Sequence, residues 1–385
     1  MKVICDRAAL LDVTNLAAGV VAVRTPRPQL TCVKVEARQT DEGGAGQVTL
    51  SATDNEVSLR LATGQVEVQK EGGALIPADK LRQIVAAQDA DPTLTLDTDK
   101  DKTTIRGTNA KYVVYGFPAS DFPAMAEFPT TGAADSFTVS ADLLQQLVQR
   151  TIFSTARENS RYAINGVLLK RIGKKLELVA TDGRRLALAR GNAEPGEGAG
   201  DGGQCIIPTK ALSLILKLLP MAGKNVRVAV TDNQILFAFD DAPDGSGTVL
   251  ASNLVEGTFP PYEDVIPKDQ DKRATLEVGT LSSAVKKAAL LTNEDSRGVR
   301  MAFASDHGLR LSSRAPEMGE AEIEVELNGY EGDAIEVGFN PAFIVDALKV
   351  VSDDDVIFEL KAQNKPGLIK SGQDFLYVVM PVNLQ

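Results

Sequence analysis

The sequence predicts an α+β fold of three similar domains, each with two helices packed on antiparallel sheets. Three series of segments carry this prediction, and each series recurs three times at a spacing of roughly 125 to 140 residues. All three series keep the same order along the chain, which chance does not explain. A chain of 385 residues is long enough for two or three domains.

The first series opens each domain with a strand of alternating polarity and an amphipathic helix. Its segments are 2–20, 136–154 and 274–292. Apolar residues recur in the helical part at spacings of three and four, which is typical of a helix with one buried face. Ser140 stands at the N-cap position of the second copy.

The second series predicts a β-hairpin. Its copies are SATDNEVSLRL (51–61), VATDGRRLALA (179–189) and ASDHGLRLSS (304–313). The Asp-Gly pair of the middle copy is typical of a type I′ turn. Only this copy has adjacent arginines, Arg184 and Arg185, so a structural need shared by all three copies does not explain them.

The third series is an apolar strand followed by a helix start, beginning at Gly73, Gln204 and Ile335. Together with the first series it predicts six helices, at 7–20, 78–88, 140–152, 209–220, 280–292 and 340–351. Pro, Gly and charged residues cluster in linkers at 128–136 and 266–274. The predicted domains are 1–127, 136–265 and 273–385.

The composition argues against several classes of function. The net charge is −11, and His307 is the one histidine, so catalytic triads and histidine-rich metal sites are not expected. A lone general base is the catalytic role left for His307, against the simpler role of an exposed turn residue. Cys5, Cys32 and Cys205 lack metal-ligand spacing and are expected to be core residues. We expect no cofactor, no metal and no membrane span, and a cytoplasmic location.

The predicted helices are basic although the chain is acidic. They contain nine Lys or Arg residues and four Asp residues. Helices that share one side would form a basic surface on an acidic body, which suits contact with phosphates without reading base sequence. Neither an aromatic stacking platform nor a recognition helix is predicted. The basic residues are Arg7, Lys80, Arg82, Arg150, Lys210, Lys217, Lys286, Lys287 and Lys349.

Two other functions were weighed. An enzyme would use Asp54, Asp182 and Asp306, but these repeat-related carboxylates belong to three different domains and are not expected to converge. No P-loop or nucleophile elbow is present. An open, monomeric scaffold that binds only proteins is the other alternative, and the oligomeric state in solution tests it.

Five stretches resemble the bacterial DNA polymerase III beta subunit, the sliding clamp family, over essentially the full length of the chain. They are SRYAINGVLL (160–169), ATDGRRLAL (180–188), EGTFPPYEDVIP (256–267), NEDSRGVRM (293–301) and YVVMPVNL (377–384). The last stretch, ATDGRRL and the FPPY segment are the most specific.

The resemblance implies three clamp-type domains per chain, forming half of a closed six-domain ring. Two chains would pair head to tail, with helices lining a hole that encloses duplex DNA. The implied function is that of a non-catalytic processivity factor that tethers the replicative polymerase. The implied partners are double-stranded DNA, a second copy of the chain, the DNA polymerase III alpha subunit, the clamp loader, and other polymerases and repair proteins that dock through short peptides.

The resemblance also implies a peptide-binding cleft between the second and third domains, walled by the hairpin at 180–188. Its apolar side chains would form pockets, and its arginines would meet acidic or carbonyl groups. Carried over by position, the cleft residues are Ile164, Thr181, Gly183, Arg184, Arg185, Leu186, Pro260, Val265, Val378, Val379, Met380, Pro381, Val382 and Leu384. The alternative role of the VVMPV tail is an ordinary edge strand of the third sheet.

Residues for the other two surfaces follow in the same way. Tyr112 and Val114 are expected to meet Leu290 and Leu291 of a second chain, with burial inside each domain as the alternative. The residues expected to contact DNA are Arg24, Arg27, Lys80, Arg82, Arg150, Arg157, Arg161, Lys210, Lys217, Lys286 and Lys287. Each of these, taken alone, is also consistent with a solvated surface charge.

Some positions depart from the family. Asp264 and Asn383 stand where its members often have a basic residue, and Gln385 follows Leu384. The charge preference of the peptide at this edge of the cleft is therefore open.

Overall fold

A computed structural model describes residues 1–40, 46–129, 135–157, 162–196, 200–239, 247–292, 298–316 and 318–383. The chain forms two compact units. Unit 1 consists of Met1–Asp142, Glu194–Gly200 and Lys210–Leu254. Unit 2 consists of Leu143–Ala193, Asp201–Thr209 and Val255–Gln385. Residues of the predicted second domain, 136–265, are divided between the two units. The two units therefore do not test the three predicted domain boundaries, which stay a prediction.

The described residues form six α-helices, and each begins within two residues of its predicted start. They are α1 (Arg7–Ala18), α2 (Ala78–Ala87), α3 (Ala141–Ile152), α4 (Thr209–Leu218), α5 (Val278–Ala288) and α6 (Pro341–Leu348). Asp6, Glu277 and Asn340 cap α1, α5 and α6 by accepting hydrogen bonds from backbone N–H groups of the first turn. Helices α4 and α5 end earlier than predicted because a short 3-10 turn follows each of them.

The first ten strands end at residue 140. They are β1 (Lys2–Asp6), β2 (Cys32–Gln39), β3 (Gly46–Thr53), β4 (Val57–Thr63), β5 (Val66–Lys70), β6 (Gly72–Pro77), β7 (Thr93–Asp99), β8 (Lys102–Arg106), β9 (Lys111–Tyr115) and β10 (Asp135–Ser140). The next eight are β11 (Gly166–Ile172), β12 (Lys175–Thr181), β13 (Arg185–Asn192), β14 (Glu194–Pro195), β15 (Gln204–Pro208), β16 (Asn225–Val230), β17 (Gln234–Ala238) and β18 (Val249–Asn253). The last nine are β19 (Lys272–Glu277), β20 (Val299–Ala304), β21 (Gly308–Ala315), β22 (Gly319–Val325), β23 (Gly329–Glu331), β24 (Ile335–Phe339), β25 (Asp355–Leu360), β26 (Gly367–Ser371) and β27 (Phe375–Val379).

Unit 1 contains two sheets. One has the order β5-β1-β7-β8-β9, and the other has the order β14-β10-β16-β17-β18-β4-β3-β2-β6. Antiparallel pairing of β18 with β4 joins strands of the predicted first and second domains into one sheet. Helix α1 packs against α2 in this unit.

Unit 2 has the same construction. One sheet has the order β15-β11-β12-β13-β27-β26-β25-β19-β23, and the other has the order β22-β21-β20-β24. Antiparallel pairing of β13 with β27 joins the predicted second and third domains, and α5 packs against α6. Within each unit, strands of neighbouring predicted domains therefore join edge to edge in one sheet.

The core follows the alternation of the strands. Residues at every second position of β2, β3 and β4 are buried, as expected when one face of a sheet is covered. Cys5, Cys32 and Cys205 are free and buried, which confirms their predicted role as core residues. Burial raises the pKa of the Cys5 thiol to about 12. None of the described helices is both long and apolar enough to cross a membrane.

The three predicted hairpins are present, but the prediction of a type I′ turn at Asp182-Gly183 is wrong. That turn needs a positive φ at both central residues. Gly183 has φ +83°, whereas Asp182, the other residue of the Asp-Gly pair, does not have a positive φ. Asn55, with φ +77°, is the counterpart of Gly183 in the first copy, and Gly308 in the third copy has φ +74° one position later.

Candidate functional site

A cavity of about 210 Å³ opens in unit 2 beside the join between β13 and β27. Apolar side chains and a few polar groups surround it, as is common for small-ligand and peptide sites. Its lining residues are Tyr162, Ile164, Thr181, Gly183, Arg184, Arg185, Leu186, Pro260, Tyr262, Val265, Val378 and Met380. Ten of these are in the set implied by the resemblance, so the structure brings most of the predicted cleft together around one cavity.

Two paired strands form the floor of the cavity. Leu186 of β13 lies opposite Val378 of β27, and both side chains are buried in an apolar cluster that also includes Leu188 and Val179. The backbone N–H of Met380 donates to the carbonyl of Arg184 (2.9 Å), which holds the end of β27 against the hairpin. The floor is therefore part of the core and is preformed.

Three predicted cleft residues do not line the cavity, and one lies outside the described part. Val379 follows Val378 in a strand, so its side chain points to the opposite face, where it is fully buried. Pro381 and Val382 lie beyond the lining, and the N–H of Val382 donates to the Gly338 carbonyl (2.8 Å). Leu384 lies outside the described residues.

Tyr162 and Tyr262 line the cavity although the sequence analysis did not select them. Tyr162 precedes Ile164 by two residues, and Tyr262 precedes Val265 by three in a 3-10 turn. Side chains three apart in such a turn share a face. The spacing of three residues between Tyr262 and the predicted cleft residue Val265 could therefore have identified Tyr262 from the sequence. Tyr162, Val265 and Met380 leave large apolar side chains exposed at the mouth of the cavity.

The turn between β12 and β13 forms one wall. The Thr181 hydroxyl accepts from the N–H of Gly183 (3.1 Å) and donates to the Arg185 carbonyl (2.7 Å). Asp182 Oδ1 accepts from the N–H groups of Arg184 (2.9 Å) and Arg185 (3.0 Å). These bonds fix the backbone, so that Arg184 is exposed and the Arg185 side chain turns inward.

The Arg185 guanidinium is committed to contacts inside unit 2. Its Nε and Nη1 pair with Asp182 and Asp346, each at 3.0 Å, and its Nη2 donates to the Phe153 carbonyl (2.8 Å). The group also stacks on the Phe343 ring, 4.4 Å from its centroid. Burial acts to lower the pKa of Arg185, but the Asp346 hydrogen bond and further contacts raise it overall. The expectation that Arg185 offers its charge to a ligand is wrong, because only 11% of the side chain is exposed and each of its three nitrogens already donates to a group of unit 2.

A second wall contains a single 3-10 turn that starts at Tyr262. The Tyr262 hydroxyl donates to Glu177 (3.3 Å), and burial followed by the Glu177 charge raises the pKa of this tyrosine. Lys170 lies over the Tyr262 ring and pairs with Glu263 at 3.2 Å. Asp264 is exposed and has no hydrogen-bond or ion-pair partner for its side chain among the described residues.

Most of the residues expected to contact DNA are exposed. They are Arg24, Arg27, Lys80, Arg82, Arg157, Lys210, Lys217, Lys286 and Lys287. Lys210 forms an ion pair with Asp54, so part of its charge is already neutralised. Arg161 lies outside the described residues.

The expectation for Arg150 is wrong. This residue is only 5% exposed, its Nη2 donates to Ser352 (3.3 Å), and its guanidinium lies over the Phe375 ring. Burial lowers the pKa of Arg150. As a charged residue of an amphipathic helix, Arg150 was expected to face solvent. Its side chain instead packs into unit 2.

Strand β9 is an edge of its sheet, and its apolar residues divide between two faces. Val114, expected at an interface between chains, is 9% exposed and faces inward, so that expectation is wrong. Tyr112 is half-buried, and its hydroxyl accepts from Gln88 Nε2 (3.0 Å). Val113 and Tyr115 are the exposed apolar residues of this strand, with Tyr115 65% exposed, and the sequence analysis missed them.

Leu290 and Leu291, the residues expected to meet β9 of a second chain, are both at least partly exposed. Leu290 is 72% exposed, and Leu291 is half-buried in the same 3-10 turn after α5. The burial pattern of β9 alternates with a period of two, so reading the alternation outward from Val114 could have selected Val113 and Tyr115.

The three repeated aspartates do not form a catalytic group. Asp54 and Asp182 accept backbone hydrogen bonds in their own turns and pair with Lys210 and Arg185. Asp306 lies 2.6 Å from His307 Nδ1, and His307 is an exposed turn residue, the simpler of its two expected roles. Within the described residues no cluster of His, Cys, Asp and Glu has the geometry to hold a metal.

Models of three consecutive domains of one family match the chain. The N-terminal domain of the DNA polymerase III beta subunit matches residues 1–126, the central domain matches 138–261 and the C-terminal domain matches 263–383. The chain belongs to the DNA polymerase III beta subunit family. The resemblance inferred from the five sequence stretches is thereby confirmed, and so is the three-domain clamp fold.

Relatives of this beta subunit family agree over full length. The beta sliding clamp of Pseudomonas aeruginosa is 33% identical over 382 residues, covering 98% of this chain and 99% of the relative. The beta sliding clamp of Escherichia coli K12 is 28% identical over 389 residues, covering both chains completely. The role of a DNA sliding clamp, a processivity factor without catalytic activity, follows for this chain.

Solved structures of the family have the same fold. A sliding clamp from Pseudomonas aeruginosa, solved bound to griselimycin, superposes with a TM-score of 0.87 at 31% identity, and each chain is covered completely. A sliding clamp from Bacillus subtilis gives a TM-score of 0.88 at 23% identity, which shows the shared fold.

Proposed function

We propose that the cavity in unit 2 is the site at which this sliding clamp binds short, extended, partly apolar peptides of its partner proteins. The observation that carries this proposal is the preformed apolar floor of Leu186 and Val378, bordered by the exposed side chains of Val265 and Met380. An apolar peptide side chain would gain about 25 cal/mol per Å² of surface removed from water there. Methionine at the mouth suits several ligand shapes because it is flexible and polarisable.

The proposed partners are the DNA polymerase III alpha subunit, the clamp loader, and other polymerases and repair proteins. Their shared use of one cleft would make binding competitive, so that one partner at a time acts at a given site. The chain is also proposed to act in the cytoplasm, where a bacterial replication clamp meets chromosomal DNA.

A negative charge introduced at the mouth of the cavity tests whether peptides bind there. The variant Val265→Asp changes an exposed residue, so it places a carboxylate against the apolar ligand without disturbing the core. We expect binding of a fluorescein-labelled nine-residue peptide with adjacent Leu and Phe residues to weaken at least about tenfold, which is about 1.4 kcal/mol. Fluorescence anisotropy measures this change.

Ile172→Asp is the matched control. Ile172 is a similarly exposed apolar residue of unit 2, and it does not line the cavity. It is expected to leave the affinity unchanged. Equal affinities of both variants and the native chain would show that the peptide binds elsewhere.

We further propose that two chains close head to tail into a ring around duplex DNA. Contacts between chains are supported by the exposed Leu290 and by Val113 and Tyr115 of β9, whose outer edge pairs with no other described strand. Exposed cations such as Arg24, Lys217 and Lys286 would contact phosphates weakly and exchange them freely, which permits sliding.

Retention on DNA tests the ring. The chain is loaded by a clamp loader onto a closed circular DNA or the same DNA linearised, and both are washed with salt. A ring that encloses DNA stays on the circle and leaves the free ends. Equal loss from both forms would instead indicate ordinary electrostatic binding and favour an open scaffold.

A further inference from the structure

Two charges beside the cavity of unit 2 lack a partner among the described residues. Arg184 lines the cavity, and only its backbone N–H and carbonyl are engaged, by Asp182 and Met380. Asp264 lies on the other wall, directly before the lining residue Val265. One wall therefore offers a free cation, and the other offers a free anion.

The neighbouring charges are neutralised within the fold. Asp182 and Asp346 share Arg185, Asp346 is also paired with Lys349 at 3.1 Å, and Glu263 is paired with Lys170. Burial acts to raise the pKa of Glu263, but backbone hydrogen bonding and the Lys170 contact lower it overall. Arg184 and Asp264 are thus the charges of these two walls that are left for a ligand.

The geometry of the 3-10 turn sets the place of Asp264. Residues three apart in such a turn share a face, so Tyr262 and Val265 both face the cavity. Glu263 turns to Lys170, and Asp264 takes the remaining, solvent-facing side. A peptide whose apolar side chain fills the cavity would carry its next residues past this carboxylate.

We propose that the cleft selects extended peptides of mixed charge. Beside an apolar anchor, such a peptide carries a Lys or Arg that meets Asp264 and an acidic group that meets Arg184. The inference rests on the proposed function of the cavity as a peptide site and adds the charge pattern of its ligands. Complementary rim charges contribute to specificity more than to affinity, because both remain in contact with water.

A double-mutant cycle tests the contact with Asp264. The probes are labelled nine-residue peptides with a central Leu-Phe pair, with Glu on one side and Lys on the other, in both orders. The order that binds more tightly is compared with its Lys→Gln version, on the native chain and on Asp264→Asn. Asp269→Asn, an exposed acid five residues further along the chain, is the matched control.

On the native chain and on Asp264→Asn, the effects of Lys→Gln should differ. We expect about a two- to fivefold loss of affinity on the native chain and on Asp269→Asn at low salt, and no loss on Asp264→Asn. A loss of the same size on Asp264→Asn would overturn the inference. If no peptide binds, or if Val265→Asp binds every peptide as well as the native chain does, the proposed peptide site itself fails.

Discussion

At the scale of single residues, the adjacent arginines of ATDGRRLAL have different roles. Arg184 lines the cavity with a guanidinium that pairs with no other described residue, whereas Arg185 links the hairpin turn to α6 through Asp346. This difference explains why only the middle hairpin has two arginines. In the proposed peptide site, Arg184 is available to a ligand. Arg185 stabilises the turn that carries Arg184.

Replacement of Arg185 should therefore cost stability. We expect Arg185→Ala to lower the stability of unit 2 by about 3 kcal/mol, because it leaves the partly buried Asp346 carboxylate without its guanidinium partner. The midpoint of urea unfolding measures the loss. Arg184→Ala is the matched control and should stay within about 0.5 kcal/mol of the native chain. Equal midpoints for the two variants would contradict the structural role of Arg185.

At the scale of elements, the first hairpin uses its aspartate differently from the second. Asp54 caps its own turn and pairs with Lys210 of α4, whereas Asp182 pairs with Arg185 next to it. The turn geometry is shared, with a positive φ at Asn55 and at Gly183. The turn of the first hairpin is thus connected to α4 through the carboxylate of Asp54. The turn of the second hairpin is connected to α6 through the guanidinium of Arg185.

The Asp54–Lys210 pair gives a pH dependence. Burial acts to raise the pKa of Asp54, but the Lys210 hydrogen bond and backbone N–H groups lower it below its usual 3.8. A lowered folded-state pKa gives stability that is present above the unfolded value and is lost as pH falls through the folded one. We expect Asp54→Asn to have a lower thermal midpoint at pH 7 and a shallower decline below about pH 4.

Thermal unfolding between pH 2.5 and pH 7 measures both effects. Asp232→Asn, in an exposed turn of the same unit, should follow the native curve. If Asp54→Asn declined as steeply as the native chain, the pair would not contribute to acid sensitivity.

At the scale of the whole molecule, the chain leaves apolar residues uncovered at two places that are far apart in sequence. Val113 and Tyr115 lie on the edge strand β9, and Leu290 lies in the turn after α5. We propose that these residues contact a second copy of the chain, since Val113 and Tyr115 are exposed together on one strand edge. The proposed head-to-tail ring would cover both places in every chain at once.

Leu290→Asp should convert the proposed dimer into a monomer without unfolding it. Leu290 is largely exposed, so the charge is tolerated in a free chain but is costly in an apolar interface. Sedimentation at micromolar concentration measures the mass. Met221→Asp, which changes another exposed apolar residue, should leave the mass as it is in the native chain. A dimer of Leu290→Asp would place the interface elsewhere.

Much of the fold and of the site was predictable from the sequence. Strand and helix periodicities are local properties, so the helix starts and the hairpins were predicted closely. Motif positions gathered Leu186, Val265 and Met380 around one cavity. Tyr262 was missed because its role depends on the face of a single 3-10 turn, which the motif by itself does not show.

By itself, the sequence determined the three repeats, the α+β composition, the order of the elements and the family. These follow from periodicity and motifs, which are written along the chain. Only the tertiary structure decided that Arg150 and Arg185 turn inward, that Val379 points away from the cavity, and that Val113 rather than Val114 faces solvent. The physical reason is that an element has faces whose burial depends on what packs against them, and that partner lies far away in the sequence.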